Sequence, residues 1–360
     1  MTIDDKNILW LDLFEGLTYN KKIKLLEIIG RGNDIRANFI KDARIKEILT
    51  KEEFAKMSLC LTEEFLNVRI KKYLDSNIEC ITFYNENYPY MLKEIDSPPL
   101  CLYCKGNIQL LNTLCIGVVG SRKPTEYGLV VTKSFVKELV AADVTIVSGM
   151  ASGVDTIAHK TTLENSGKTI AVLAGGFNHI YPASNFSLFK ELTANNLVVS
   201  EFNPDIKPQS YYFPIRNRII AGLSKGVLVT EAGEKSGSLH TINYAIDYNR
   251  EIFAVPGRIN SEMSKGCNNI IKEYKDAFVT SADDILTSFN IKKQENEKNL
   301  GVQLDFNVQS VLNYIGTEKK TFQEILEFSK MSAKDLNAIL IELELSGLVT
   351  KLANNSYIMS

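Results

Sequence analysis

The chain has 360 residues, 45% of them hydrophobic and 23% charged, the balance of an ordinary globular protein too long for one typical core. A formal net charge of -2 excludes a globally basic nucleic-acid binder, so any nucleic-acid contact has to be a local groove whose affinity falls steeply with salt. No apolar run approaches the roughly 18 residues of a membrane span, and Met1 to Lys6 lack the basic lead of a signal peptide, so a cytoplasmic protein without a membrane partner is expected.

Residues 1–75 show apolar positions at helical spacing over Ile8 to Leu13, Lys21 to Ile29, Ile35 to Leu49, Lys51 to Met57 and Thr62 to Leu74, punctuated by Gly16, Gly30 and Gly32. They predict a small helical module with a packing or partner role. Gly16 lacks the second glycine of a helix-hairpin-helix, and no DNA contact is read there. Residues 76–112 carry a short strand, Glu79 to Phe83, then Tyr88-Pro89, Pro98-Pro99 and the apolar run Leu100 to Tyr103. Prolines at those places suit an extended lead-in to the next domain. The six cysteines are few and mostly lie in apolar runs; Cys101 and Cys104 have no second Cys or His pair nearby, so buried strand cysteines are expected and no metal or cofactor.

From Leu114 to Leu286 the pattern alternates. Strands are predicted at Leu114 to Val119, Val144 to Val147, Thr169 to Leu173, Leu197 to Val199, Gly226 to Val229 and Glu251 to Val255. Helices are predicted at Tyr127 to Ala142, Val154 to Ser166, Ser184 to Asn195 and Ser238 to Asn249. Near-continuous apolar strands separated by helices imply an α/β fold, an extended Rossmann-like parallel sheet covered on both faces, spanning 76–290. Residues 291–303, with a charged run from Lys292 to Lys298, read as a solvated linker. Residues 304–360 then show three helical patterns, capping-box spacings at Thr321/Glu324 and Ser332/Asp335, a stop at Gly347, and two short strands about the turn Asn354-Asn355, the order of a winged-helix domain. Its third helix holds Lys334 against Asp335, Glu342 and Glu344, a balance that suits a protein partner better than a phosphate backbone.

The strand ends carry the chemistry. In a parallel α/β sheet the carboxyl ends line one crevice, which would gather Gly120-Ser121-Arg122, Ser148-Gly149 with Gly153, Gly175, Ser200-Glu201 and the stretch from Glu231 to Ser238. Gly120 lets backbone approach a ligand, Ser121 offers a hydroxyl, and Arg122 a planar fork suited to phosphate; a plain turn with a solvated arginine is the alternative. The dinucleotide fingerprint is absent, because Gly117, Gly120 and Gly128 miss its spacing. Asp155 and His159 lie four apart on one helix face, but without a positioned nucleophile a hydrogen-bonded structural histidine is favoured over an acid-base pair. Phe213-Pro214-Ile215-Arg216-Asn217-Arg218 holds two of nine arginines in a chain with 32 lysines, beside Tyr211 and Tyr212. Arginines that track phosphates beside aromatic faces that stack bases grip single strands without sequence readout, against a surface loop with tucked aromatics. Lys235, Ser236, Gly237 and Ser238 open a helix after a strand and can hold an anion there, or the serines can simply cap the helix.

Taken in order, Gly117 to Arg122, Ser148 to Asp155 with Ala158-His159, Ala171 to Gly176, Tyr181-Pro182 with Asn185, Ser200-Glu201, Phe213 to Leu223, Glu231-Ala232, Ser236 to Leu239 and Val255-Pro256-Gly257 resemble the DNA-processing protein A family, DprA or Smf. The resemblance covers the core and reaches upstream to Tyr88-Pro89 and Pro98 to Gly106. It implies a homodimer without enzymatic activity that binds single-stranded DNA through the Rossmann-like domain and loads the RecA recombinase onto it in natural transformation or recombination. By position, Arg122 and Arg218 would contact phosphates, with Phe213 and Arg216 next. The alternative is a Rossmann-like nucleotide phosphoribohydrolase or nucleotide-binding protein; those hydrolases usually carry a Pro-Gly-Gly-x-Gly-Thr loop, where this chain has Glu231 to Ser236.

Overall fold

The computed structural model describes residues 1–291, 306–316, 319–345, 348–352 and 355–359. The chain forms two compact units, Met1–Gln294 and Glu295–Ser360. The linker read at 291–303, apart from Ile291, lies outside the described residues, as do Gly347 and Asn354.

The first unit opens with α1 (Ile3–Asp12), α2 (Tyr19–Ile29), α3 (Ile35–Asn38), α4 (Ala43–Ile48), α5 (Lys51–Ser58) and α6 (Glu63–Asp75). Side-chain caps start these helices: Thr2 with Asp5 and Thr50 with Glu53 make reciprocal capping boxes. The single helix expected over Ile35 to Leu49 is two, because Asp42 caps a new start by accepting from Arg44 N at 3.0 Å.

Next come β1 (Glu79–Thr82), α7 (Tyr90–Lys93), β2 (Cys101–Gly106), β3 (Cys115–Val119), α8 (Glu126–Ala141), β4 (Thr145–Ser148), α9 (Val154–Glu164), β5 (Thr169–Leu173), α10 (Phe186–Asn195) and β6 (Leu197–Ser200). The unit ends with α11 (Tyr212–Leu223), β7 (Gly226–Val229), α12 (Leu239–Asp247), β8 (Glu251–Ala254), α13 (Lys265–Glu273) and α14 (Ala282–Ser288). One eight-stranded sheet runs in the order β1-β2-β6-β5-β4-β3-β7-β8. Strands β3 to β8 are parallel, in register as Gly117↔Val147 and Val118↔Leu228. The stretch expected only as an extended lead-in adds two strands: β2 pairs antiparallel with β6, Tyr103 facing Ser200, and β1 pairs antiparallel with β2. Cys101 and Cys104 are buried on β2.

Both faces are covered, as the alternation of side chains requires. On one face Val119, Val147, Ile170, Val172 and Val199 pack with Ile219 and Ile220 of α11 and Ile242 and Ala245 of α12. On the other, Ile116, Val118, Ile146 and Leu228 pack with Phe135, Val136 and Leu139 of α8 and Ile285 of α14. Farther along that face, Tyr103, Ala171, Leu173 and Val198 share a core with Leu188 and Leu192 of α10 and with Ile8, Trp10, Leu25, Leu66 and Tyr73 of the N-terminal helices. The helices of residues 1–75 are thus part of the sheet's covering layer. The chain steps one way from β3 to β6 and the other way through β7 to β8, so the order reverses between β3 and β7, and a crevice opens beyond their carboxyl ends.

The second unit holds α15 (Phe306–Ile315), β9 (Lys320–Thr321), α16 (Phe322–Ser329), α17 (Ala333–Leu345), β10 (Val349–Leu352) and β11 (Ser356–Met359), a winged helix with sheet order β10-β11-β9. Both expected capping pairs form: Glu324 N donates to Thr321 Oγ1 at 3.3 Å and Asp335 N to Ser332 Oγ at 3.2 Å. Val311, Ile315, Ile325, Leu336, Leu340 and Leu343 build its core.

Candidate nucleic-acid interface

The loop after β3 and the loop after β7 are fastened to each other. Ser121 N donates to Glu231 O at 2.7 Å, and the Glu231 carboxylate accepts from Thr125 N at 2.7 Å and Thr125 Oγ1 at 2.6 Å. Glu231 is buried, so removing it would leave those donors without a partner. Two glycines make the close approach possible: a Cβ on Gly120 would stand 2.9 Å from Glu231 O, and one on Gly128 2.5 Å from Glu231 Oε2.

Between these loops and the first turns of α11 and α12 lies a cleft of about 860 Å³. It is lined by Gly120, Ser121 and Arg122 from the β3 loop, by Phe213, Arg216 and Asn217 from α11, and by Lys235, Ser236, Gly237 and Ser238 ahead of α12. Arg122 is exposed, its guanidinium carbon 5.0 Å from the centre of the Phe213 ring. Phe213 in turn meets Tyr181 edge-on at 5.6 Å, and Tyr181 is 55% exposed. Cation and aromatic faces therefore form one rim. Lys235, which lines the same cleft, is exposed. Ser238 occupies the N-cap position of α12 without a side-chain capping bond, and the Ser236 and Ser238 hydroxyls stand 2.7 Å apart. Ser236 Oγ also accepts from Ser238 N at 3.4 Å, so Ser236 caps the start of the helix weakly while both hydroxyls line the cleft. Asn217 Nδ2 donates to Gly237 O at 3.3 Å and holds this turn to α11.

Other expected residues support the walls. Ser148 is fully buried and donates to Val118 O at 2.7 Å, tying β4 to β3. Gly153 has φ +81°, and a Cβ there would come within 2.3 Å of Ser121 O. Gly149 and Gly175 line a small recess beside the cleft that shares Tyr181 and Phe213 with it.

The arginines of Phe213 to Arg218 separate. They lie in helix α11, which periodicity alone does not draw, and at 100° per residue positions 216 and 218 point apart. Arg216, 3% exposed, sends Nη1 to the carbonyls of Gly149 and Val172, and burial lowers its pKa to about 10. It braces the ends of β4 and β5 while lining the cleft as a buried residue. The expectation that Arg218 shares the crevice with Arg122 is corrected: Arg218, 8% exposed, pairs with Glu201 on the other flank of α11. Burial raises the Glu201 pKa, with Arg218 opposing that shift.

Asp155 and His159 do not bond each other. Asp155 Oδ2 accepts from Gly149 N at 3.1 Å and Ala151 N at 3.3 Å, while His159 Nδ1 lies 2.7 Å from Thr169 Oγ1. Burial, with Arg216 adding to it, lowers the His159 pKa to about 3, so the ring is neutral. The hydrogen bond the sequence favoured for this histidine is present, to a threonine partner that no spacing showed.

The lining also includes Pro208, Ser210, His240 and Met263. Pro208 and Ser210 come from an irregular stretch before α11, and Met263 from a single 3-10 turn, Glu262–Ser264, after β8, so no periodic signal marks these three. Tyr181 was visible only through the resemblance.

The profile of the family described as DNA recombination-mediator protein A matches residues 79–290, and that of the DprA winged helix domain matches residues 303–355. DNA processing protein DprA of Bacillus subtilis is 42% identical over 214 residues, 59% of this chain and 72% of that protein. Protein Smf of Synechocystis sp. is 32% identical, covering 78% of this chain and 80% of its own. The crystal structure of DNA processing protein A from Streptococcus pneumoniae superposes with a TM-score of 0.67 at 34% identity, over 80% of this chain and 98% of that one. A structure of the Helicobacter pylori protein, described for that protein's single-stranded DNA binding mode, superposes at 0.54 with 31% identity, over 60% of this chain and 97% of that one. A matching profile across the whole sheet, a matching winged helix and a shared fold lead to one conclusion: this chain belongs to the DNA recombination-mediator protein A family, the DprA/Smf DNA-processing proteins.

Proposed function

We propose that this protein binds single-stranded DNA without sequence readout in the crevice between β3 and β7, and as a homodimer delivers the strand to the RecA recombinase during transformation or recombination. The observation that carries the reading is the rim, where Arg122 lies over Phe213 and Phe213 against Tyr181, in a cleft that Lys235 also lines. Phosphates need the cations and bases need the exposed rings, and single-strand binders combine the two. The glycines of both loops let backbone N–H groups come close to a phosphate. A binder is favoured over a phosphoribohydrolase because the carboxylates at the crevice are engaged as acceptors: Glu231 holds Thr125, and Asp155 holds Gly149 and Ala151. The RecA step is supported by family membership.

The test is fluorescence anisotropy of a labelled oligonucleotide over a salt series, with duplex as competitor. Wild type should prefer the single strand, and Arg122→Ala with Lys235→Ala should weaken binding at least about tenfold and flatten the salt slope by roughly 0.7 per lost contact. Unchanged affinity in the double variant, or preference for duplex, would overturn the assignment. RecA assembly on an oligonucleotide coated with single-strand binding protein should be accelerated by wild type and not by that variant.

A further inference from the structure

Helix α11 has a second cleft on its other side. Phe213, Pro214 and Asn217 line the crevice, whereas Tyr211, Tyr212, Ile215 and Arg218 line a cavity of about 690 Å³ closed by the Phe14 to Tyr19 segment and by residues 201–206. The N-terminal half of α11 lies between the two. We propose that this second cleft holds a base of the strand whose backbone lies in the crevice; the inference rests on the single-strand reading above.

Three features fit a base better than a phosphate. The wall is aromatic: Tyr211 and Tyr212 rings are 4.4 Å apart, Tyr212 and Phe202 4.2 Å, and Tyr19 and Phe65 complete the lining. The charges are wrong for an anion, since Asp12, Glu15, Glu201 and Asp205 face Lys22, Arg69 and Arg218. Lys22 is already held by Asp12 at 2.8 Å and Arg218 by Glu201. Finally, the Arg218–Glu201 pair has bonds left to make. Arg218 Nη1 and Glu201 Oε2 are buried and, among the described residues, have no hydrogen-bond partner. A donor and an acceptor buried without partners are costly, and a base seated deeply enough to reach them would offer the adjacent acceptor and donor of its edge. Because all four bases present such an edge, the site adds grip without demanding one sequence.

The experiment uses full-length protein and oligonucleotides carrying 2-aminopurine at successive positions, whose fluorescence is quenched on stacking against tyrosine. Wild type should show a quenched position distinct from those in the crevice, with at least a twofold fall in intensity. Tyr211→Ala, a change at an exposed residue, should abolish that quench alone and weaken anisotropy-measured binding about threefold to tenfold. Tyr212→Leu should do the same. Binding with the same affinity and the same quench profile in both variants would overturn the second cleft while leaving the crevice intact. Failure of wild type to bind any oligonucleotide would overturn the crevice reading and this inference with it.

Discussion

Arg216 is a buried cation that donates to the main-chain carbonyls of Gly149, just after β4, and Val172 of β5, and through Nε to Asn217 Oδ1 at 3.1 Å; its removal would strand those carbonyls and open a void. Arg216→Ala is expected to destabilise the fold by about 3 kcal/mol or more, read as a lower urea midpoint, with DNA binding lost only in proportion to unfolding. A direct ligand contact would instead weaken binding in a fully folded protein. His159 makes a second prediction at this scale. Its folded pKa of about 3 lies below the ordinary 6.5, so the stability it contributes is present above pH 6.5 and is lost as pH falls through that value toward 3. The slope is about 1.4 kcal/mol per pH unit. Urea midpoints between about pH 7 and pH 5 should fall in wild type and fall less in His159→Gln; parallel curves would contradict the neutral buried ring.

Loops between elements carry the candidate site, and each is held by a bond from another element. The latch from Glu231 to Thr125 aligns the loop that presents Arg122 with the loop that presents Lys235. Glu231→Ala should therefore cost roughly 1–3 kcal/mol in stability and also lower single-strand affinity in the folded protein, because the loops lose their mutual position. Gly153→Ala is the sharper test of the β4 loop. A φ of +81° and a 2.3 Å approach to Ser121 O leave no room for a methyl group, and a loss above about 1 kcal/mol is expected in the same assay. At the element scale the strands of the core and four of its helices, α8, α9, α10 and α12, were legible, because buried parallel strands are continuous apolar runs. Helix α11 was not. Its residues are apolar or buried on nearly every side, since it is wedged between the sheet, α12 and two clefts, so no polar face marks its period.

For the molecule as a whole, the division into Met1–Gln294 and Glu295–Ser360 makes each unit testable alone. The acidic balance of α17, Lys334 against Asp335, Glu342 and Glu344, gives the winged helix little attraction for phosphate. A chain ending at residue 291 should fold cooperatively and bind single strands within about twofold of full length; a tenfold loss would assign the winged helix a direct role in DNA contact. The N-terminal helices cannot be cut away so freely. Trp10, Leu25 and Tyr73 share a core with Tyr103, Leu173 and Val198 of the sheet, and their loss would expose that apolar face.

The sequence by itself determined the alternation of strands and helices, the winged helix with its capping pairs, the absence of a dinucleotide fingerprint, and the convergence of glycine, serine and basic residues at strand ends. These are local properties, set by side-chain periodicity, caps and the geometry of parallel sheets. Only the tertiary structure decided which arginine faces the crevice. Arg122, Arg216 and Arg218 are alike in sequence chemistry, but one stands on an open rim, one is locked on two carbonyls and one is paired with Glu201. The joining of β1 and β2 to β6, the Glu231 latch and the Thr169 partner of His159 were settled in the same way. Each depends on residues brought together from distant parts of the chain, and the burial that pairs them leaves no periodic mark on the sequence.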